Sequence, residues 1–227
     1  MEKKMEAGIL FGNAGRDKII QSFCALAGGE GKEDTFSFLV SSLTQLGETY
    51  GFQGDLWHHY LALWMAGQEN PYSLSLEGGG RAGESVLKLA AYDCALLWEL
   101  FFTSLSVHPE IWSVLKNYSP GKRQSFWGDA SFHERIAAFA KDLEHTKSPG
   151  EFQEVLGRFY QSFGAGKLGQ YRAFTLLGEG EDWDFIPILP VDPCRLSDVI
   201  GYESQKQKLR ENTLAFLQGA PANNCLL

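Results

Sequence analysis

From Ile19 to Phe163 the apolar residues recur at the three- and four-residue spacing of helices, punctuated by glycine, proline and capping side chains. Ile19, Ile20, Phe23 and Ala27 share one face of a first helix, which Gly28-Gly29 ends. Phe36, Leu39, Val40, Leu43 and Leu46 line a second, with Asp34 as its expected cap. Leu56, Trp57, Tyr60, Leu61 and Trp64 mark a third, from about Asp55 to Ala66. Asn70 to Gly83 reads as a loop broken by Asn70-Pro71 and Gly78-Gly79-Gly80. Glu84 to about Ser106 is the longest helical run. It is apolar on most of its circumference, which predicts a central, buried helix. His108-Pro109 opens a short helix with Ile111, Trp112 and Leu115. Ser131 followed by Glu134, and Ser148-Pro149 followed by Glu151, are signatures of helix starts. Gly164, Gly166 and Gly169 close the helical region.

The texture then changes. Tyr171 to Leu177 and Phe185 to Leu189 are rich in β-branched and aromatic residues, on either side of an acidic turn from Gly178 to Asp184, so a β-hairpin is expected. Pro187 and Pro190 make its second strand an edge or a strand end. From Arg195 a new unit starts. It carries an amphipathic helix near Glu203 to Leu217, ended by Gly219 and Pro221, and Asn223 to Leu227 reads as the beginning of a strand. The pattern therefore predicts a mainly α fold in three parts: a helical N-terminal domain over 1–169, a hairpin or linker over 170–190, and a further unit starting at 191–227.

Composition narrows the function. At 227 residues the chain is one large domain, or one domain plus part of another. Aromatic residues make up 13%, too many for a disordered chain. Twenty basic residues against 28 acidic ones leave a net charge of -8, which argues against a nucleic-acid partner. No apolar run approaches the ~20 residues of a membrane span. None behind Lys3-Lys4 reaches the ~7 residues of a secretory signal, so a cytoplasmic location is expected. Cys24, Cys94, Cys194 and Cys225 form no C-x-x-C pair, which sets aside a zinc knuckle or redox dithiol. Cys24 and Cys94 fall in apolar helical patterns and are expected to be buried and reduced.

Several stretches look like catalytic motifs and fail at one position. Gly78-Gly79-Gly80-Arg81-Ala82-Gly83-Glu84-Ser85 has the glycine spacing of a phosphate loop, but Glu84 stands where the lysine must be, and its charge would repel phosphate. His133-Glu134-Arg135-Ile136-Ala137 begins like a zinc-protease helix but lacks the second histidine. His58 and His59, adjacent on a helix, point about 100° apart and cannot chelate together. Asp93 sits within an apolar helical run and is expected to be a hydrogen-bonded structural carboxylate rather than a tuned acid or base. No catalytic residue and no metal ligand is assigned.

One segment carries a resemblance. Asp192-Pro193-Cys194-Arg195-Leu196-Ser197-Asp198-Val199-Ile200-Gly201-Tyr202, followed by a helix with Gln205, Lys208 and Leu209, resembles the approach to an AAA+ ATPase module. There a D-x-[VIL]-[IVL]-G stretch precedes a helix, a strand and then the Walker A loop. More narrowly, Glu211-Asn212-Thr213 and Pro221-Ala222-Asn223-Asn224 resemble a bacterial family of predicted AAA+ ATPases of uncharacterised function. The Asn70-Pro71-Tyr72-Ser73-Leu74 stretch is similar to that family's N-terminal region. The resemblance implies that 191–227 are the N-terminal edge of an α/β module: linker, first helix and start of the first strand. It also implies that Val199, Ile200, Gly201 and Tyr202 line the adenine side of a nucleotide site. ATP and Mg are expected for the full-length parent. None is expected here, because the sequence reaches Leu227 where G-x-x-x-x-G-K-[ST] would follow.

The expected function is that of a non-catalytic N-terminal domain of an AAA+ ATPase, truncated just before Walker A and unable to hydrolyse ATP. It would recruit a protein client or regulate its own ATPase domain, with any oligomer formed through the ATPase half. The alternative is a free-standing helical binding protein with an apolar small-molecule pocket lined by its Trp and Phe residues. An enzyme using Asp93 with His58, His59 or His133 is a weaker third reading.

Overall fold

Asp17 starts the first helix by turning its carboxylate back onto the N–H groups of Ile19 and Ile20, at 2.9 and 3.0 Å. The computed structural model describes residues 8–121, 130–167, 171, 173–179, 182–188 and 195–225. Two compact units are present, Met1–Val191 and Asp192–Leu227. The first holds a 3-10 turn, Gly12–Arg16, then α1 (Lys18–Ala27), α2 (Glu33–Tyr50), α3 (Leu56–Ala66), α4 (Pro71–Leu76), α5 (Glu84–Phe102), α6 (Pro109–Lys116), α7 (Ala130–Glu144) and α8 (Pro149–Phe163). A hairpin of β1 (Phe174–Glu179) and β2 (Asp182–Pro187) follows, and the second unit holds α9 (Glu203–Leu217). The mainly α fold with one short hairpin is thus as the sequence predicts. Among the described residues no helix is long and apolar enough to cross a membrane.

The centre of the bundle is α3. Asp55 caps it through the N–H groups of Trp57 and His58, and eight of its eleven residues are buried. It packs against α2, α5, α6 and α7. Trp57 lies flat on Phe23 of α1, ring centres 3.9 Å apart, and its indole N–H donates to the Leu100 carbonyl of α5 at 3.3 Å. Tyr160 of α8 is fully buried and donates to the Met65 carbonyl at 2.7 Å. The aromatic residues at these contacts are packing material, filling space between helices.

The long run from Glu84 is not the central helix. Only six of the nineteen residues of α5 are buried, while Leu87, Leu89, Tyr92 and Phe102 stand at the surface. The apolar circumference of the run from Glu84 therefore did not mark the central helix, which is the shorter α3. Asn70-Pro71 is also a start and not a break. The Asn70 side chain accepts from the N–H groups of Tyr72 and Ser73, the Ser73 hydroxyl accepts from the Asn70 N–H, and Pro71 takes the first helical position. After α4 the chain reverses through Gly78 and Gly79 at φ 63° and 81°. A Cβ on Gly80 would collide with the Ser75 carbonyl oxygen. Close backbone reversal explains these glycines without a phosphate.

Helix starts differ by a residue or two. Lys32 occupies the cap position of α2, leaving Asp34 in its first turn, where a carboxylate favours the helix dipole. The chain is already helical at Ala130, so Ser131 lies inside α7. At α8 the expected start holds. Ser148 accepts from the Glu151 N–H at 3.3 Å, and the Glu151 carboxylate accepts from the Lys147 N–H at 2.8 Å.

In the hairpin, Phe174 pairs with Pro187 and Glu179 with Asp182. The second strand begins three residues before Phe185 because Asp182 and Asp184 alternate with Trp183 and Phe185 at the strand period. Phe174, Leu176, Trp183 and Phe185 share one face, and Trp183 is 59% exposed. Asp184, on the other face, pairs with Lys167 at 2.8 Å. Pro187 is the last residue of β2; Gly169, Pro190 and Cys194 lie outside the described residues. Cys24 and Cys94 are buried thiols outside any disulfide, and Cys225 is exposed.

In the second unit α9 has no buried residue. Asn223 to Cys225 are irregular and pair with no strand among the described residues, so the expected strand start is not seen there; Leu226 and Leu227 lie outside those residues.

Candidate functional site

The turn before α9 is built from backbone and short polar groups. The Arg195 N–H donates to the Asp198 carboxylate at 2.8 Å, and the Asp198 N–H donates back to the Arg195 carbonyl at 2.9 Å. Gly201 and Tyr202 then take left-handed conformations in succession, φ 79° and 59°. That is uncommon for a residue with a Cβ, and it swings the chain into α9 at once. The Tyr202 carbonyl accepts from the N–H groups of Gln205 and Lys206. The Lys206 ammonium donates to the Val199 carbonyl at 3.0 Å and pairs with Glu203 at 2.5 Å.

This geometry turns apolar side chains outward. Ile200 is 94% exposed and Tyr202 69%, with Val199 beside them. The four residues marked by the sequence therefore share one turn. Its tip carries no charge, so it can offer a flat apolar group hydrophobic contact and backbone hydrogen bonds.

Sequence reasoning missed a second feature of this unit. From the middle of α9, the Asn212 side chain accepts from the Asn223 N–H at 2.8 Å and donates to the Asn223 carbonyl at 2.7 Å. It also donates to the Cys225 sulfur at 3.1 Å. Both partners lie in stretches that carried the resemblance, Glu211-Asn212-Thr213 and Pro221-Ala222-Asn223-Asn224. Asn212 is also an asparagine inside a helix, where its short amide competes with the backbone; neither signal pairs the two.

The other candidates resolve into structural roles. Both oxygens of Asp93, a fully buried carboxylate, are taken by backbone donors: the N–H groups of Ile9 (2.9 and 3.0 Å), Leu10 (2.6 Å) and Phe11 (2.8 Å). It therefore fastens the N-terminal segment to α5. Burial, and then the adjacent Asp93 charge, push the Cys94 thiol up to about 12, which keeps it unreactive. His58 stacks on Phe101 and reaches Glu144 at 2.7 Å and the Phe101 carbonyl at 3.0 Å. His59 points elsewhere, to the Asp55 carbonyl at 2.7 Å, with its ring against Phe52. His133 also lies near Phe52 and beside Tyr50, edge-on to both rings. Among the described residues no group of three His, Cys, Asp or Glu side chains is placed to hold a metal ion. The α7–α8 seam carries an open groove of about 540 Å³, with Phe139 stacked on Phe159 and with Arg135 over the Phe163 ring.

His59 makes stability depend on pH. Burial lowers its pKa below the ordinary value, outweighing the bond to the Asp55 carbonyl, which raises it. The native state thus binds the proton less readily than the unfolded chain does. The contribution of His59 is complete above the unfolded pKa of about 6.5 and is lost as pH falls through that value toward the lower native one. Urea unfolding at about pH 7.5 and about pH 5.5 should show lower stability at the acid end, with a smaller difference in His59→Gln. An unchanged difference in the variant would assign the slope to other groups.

A family model described as "Protein of unknown function (DUF815)" matches residues 169–227. The matched stretch takes in both strands of the hairpin, the Asp198–Tyr202 turn, α9 and the Asn212 bridge, and leaves α1 to α8 outside. No curated protein and no solved structure matches the chain.

Proposed function

We propose that residues 192–227 are the nucleotide-facing leading edge of an AAA+ ATPase module, and that the helical unit is its non-catalytic N-terminal domain. That domain recruits a protein client or regulates the ATPase. The observation that carries this reading is the turn itself: an uncharged, outward Val199-Ile200-Gly201-Tyr202 tip, backbone-locked and followed directly by a helix. This is what a surface for the edge of an adenine ring requires, and it stands in the order that the AAA+ resemblance implies.

On this reading Ile200 and Tyr202 supply apolar contact, and the left-handed Gly201 lets the backbone come close to the base. ATP and Mg²⁺ are held by a lysine-bearing phosphate loop and an acidic metal ligand. The 227 residues contain no G-x-x-x-x-G-K-[ST], so they have no means to stabilise phosphoryl transfer.

The test has two parts. The codons after Leu227 should encode a phosphate loop within about ten positions; a gene without one overturns the reading. In the natural gene product, Ile200→Asp places a charge in the apolar contact. It should weaken ATP binding by about tenfold or more, measured by calorimetry, while residues 1–227 alone bind ATP far more weakly than the full product. Submicromolar ATP binding by residues 1–227 would contradict it.

A further inference from the structure

Two backbone segments of the second unit are held from one helix. Toward its start, Lys206 ties the Val199 carbonyl, and its side chain is only 15% exposed in a unit that is otherwise open. Six residues further along, about 9 Å up the axis, Asn212 ties the backbone of Asn223 at both its N–H and its carbonyl. Lys206, Leu209, Asn212 and Ala215 form the half-covered stripe that winds along α9, and the rest of the helix is exposed. A single hydrogen bond leaves a peptide free to swivel. A side-chain amide paired with both the N–H and the carbonyl of one residue holds the two peptide groups that flank it and so fixes their direction, as a hydrogen-bonded residue of an antiparallel neighbouring strand would.

We infer that Lys206 and Asn212 are positioning residues, which set the distance and direction between the Val199–Tyr202 turn and the chain leaving Asn223. This rests on the nucleotide-facing reading above and adds to it. The turn meets the base, the chain after Asn223 leads toward the phosphates, and α9 is the spacer that makes one nucleotide span both. Neither side chain touches the nucleotide. Each acts through a backbone group, so removing either should change affinity without changing the chemistry of hydrolysis.

Two measurements test this separately. In the isotope-labelled 227-residue chain, the Asn212 side-chain amide protons should show nuclear Overhauser contacts to the Asn223 amide. Asn212→Ala removes them, and Lys206→Met leaves them in place while shifting the Val199 and Ile200 resonances. Backbone chemical shifts of residues 203–217 in the same labelled samples confirm that the variants keep α9. Absence of these contacts in the unsubstituted chain overturns the inference and leaves the nucleotide-facing reading standing. In the natural gene product, both Asn212→Ala and Lys206→Met should raise the KM for ATP by about tenfold at nearly constant kcat. Asn212→Asp keeps the bond from the Asn223 N–H and should fall between. A product that binds ATP with unchanged KM in both variants overturns the inference alone. A product that binds no ATP overturns the inference together with the reading beneath it.

Discussion

Asp93→Ala is expected to lower the stability of the helical unit by about 3–5 kcal/mol, because it takes a charged acceptor from several backbone N–H groups at about 1–3 kcal/mol for each that stays buried and unsatisfied. In a unit of this size that corresponds to a fall in Tm of about 10 °C. The reason is the number of groups left behind. Three successive backbone N–H groups, of Ile9, Leu10 and Phe11, converge on this carboxylate, and the bond to Phe11 is buried. Water can reach Ile9 once the carboxylate is gone, but it reaches the Phe11 N–H only if the Phe11 ring leaves the core, where it is 2% exposed. The variant must therefore either keep an orphaned donor or release the segment. Asp93→Asn separates this account from a catalytic one. Its remaining oxygen can take the place that receives all three donors, while its NH₂ group meets one Ile9 contact unfavourably. It should cost roughly half as much. Urea unfolding and thermal melts, both followed by circular dichroism, read the free-energy and Tm changes of both variants. A Tm within about 2 °C of the parent for Asp93→Ala would show that the N-terminal segment is not fastened there.

Asp93 also shows what the sequence could and could not disclose. A carboxylate in an apolar helical run announces burial and demands hydrogen bonds. Its partners lie more than eighty positions away in a segment with no distinctive pattern, so their identity was out of reach. The helices were legible wherever periodicity and a cap coincided, as at Asp55 before α3 and Ser148-Pro149 before α8. They were misread where one signal has two meanings. Proline after asparagine can stop a helix or start one, and at Asn70-Pro71 the reciprocal bond with Ser73 decides for a start. An apolar circumference indicates burial only if neighbours pack on every side, which they do for α3 and not for α5. The hairpin was found, but the alternation of Asp182 and Asp184 with aromatic residues was taken for a turn when it was the strand's own period. At the candidate site, Val199 to Tyr202 came from a resemblance to a motif. The Asn212 bridge joins two stretches, eleven residues apart, that the same resemblance marked without indicating that they touch.

The largest contrast within the molecule should appear in hydrogen exchange. Amides in the middle of α3 are expected to exchange at least ~10³-fold more slowly than those in the middle of α9. Eight of the eleven residues of α3 are buried, so its amides open only when the helical unit unfolds. In α9 no residue is buried, and Leu214, Phe216 and Leu217 are 51%, 71% and 73% exposed. A fifteen-residue helix with no tertiary burial is marginal in water, because forming its first turn orders several residues for a single bond. The Lys206 and Asn212 contacts bias the two ends of the unit but bury no apolar area, so they do not add the hydrophobic term that makes folding cooperative. Apolar side chains left outward in this way need a surface to cover them. In the proposed reading that surface is the remainder of the nucleotide-binding module, so α9 amides in the natural gene product should slow toward the rates of α3. Peptide-resolved exchange on the 227-residue chain and on the natural product makes the comparison. If α9 exchanged as slowly as α3 in the 227-residue chain, its apolar residues would already be covered there, and the leading edge would need no further module to complete it.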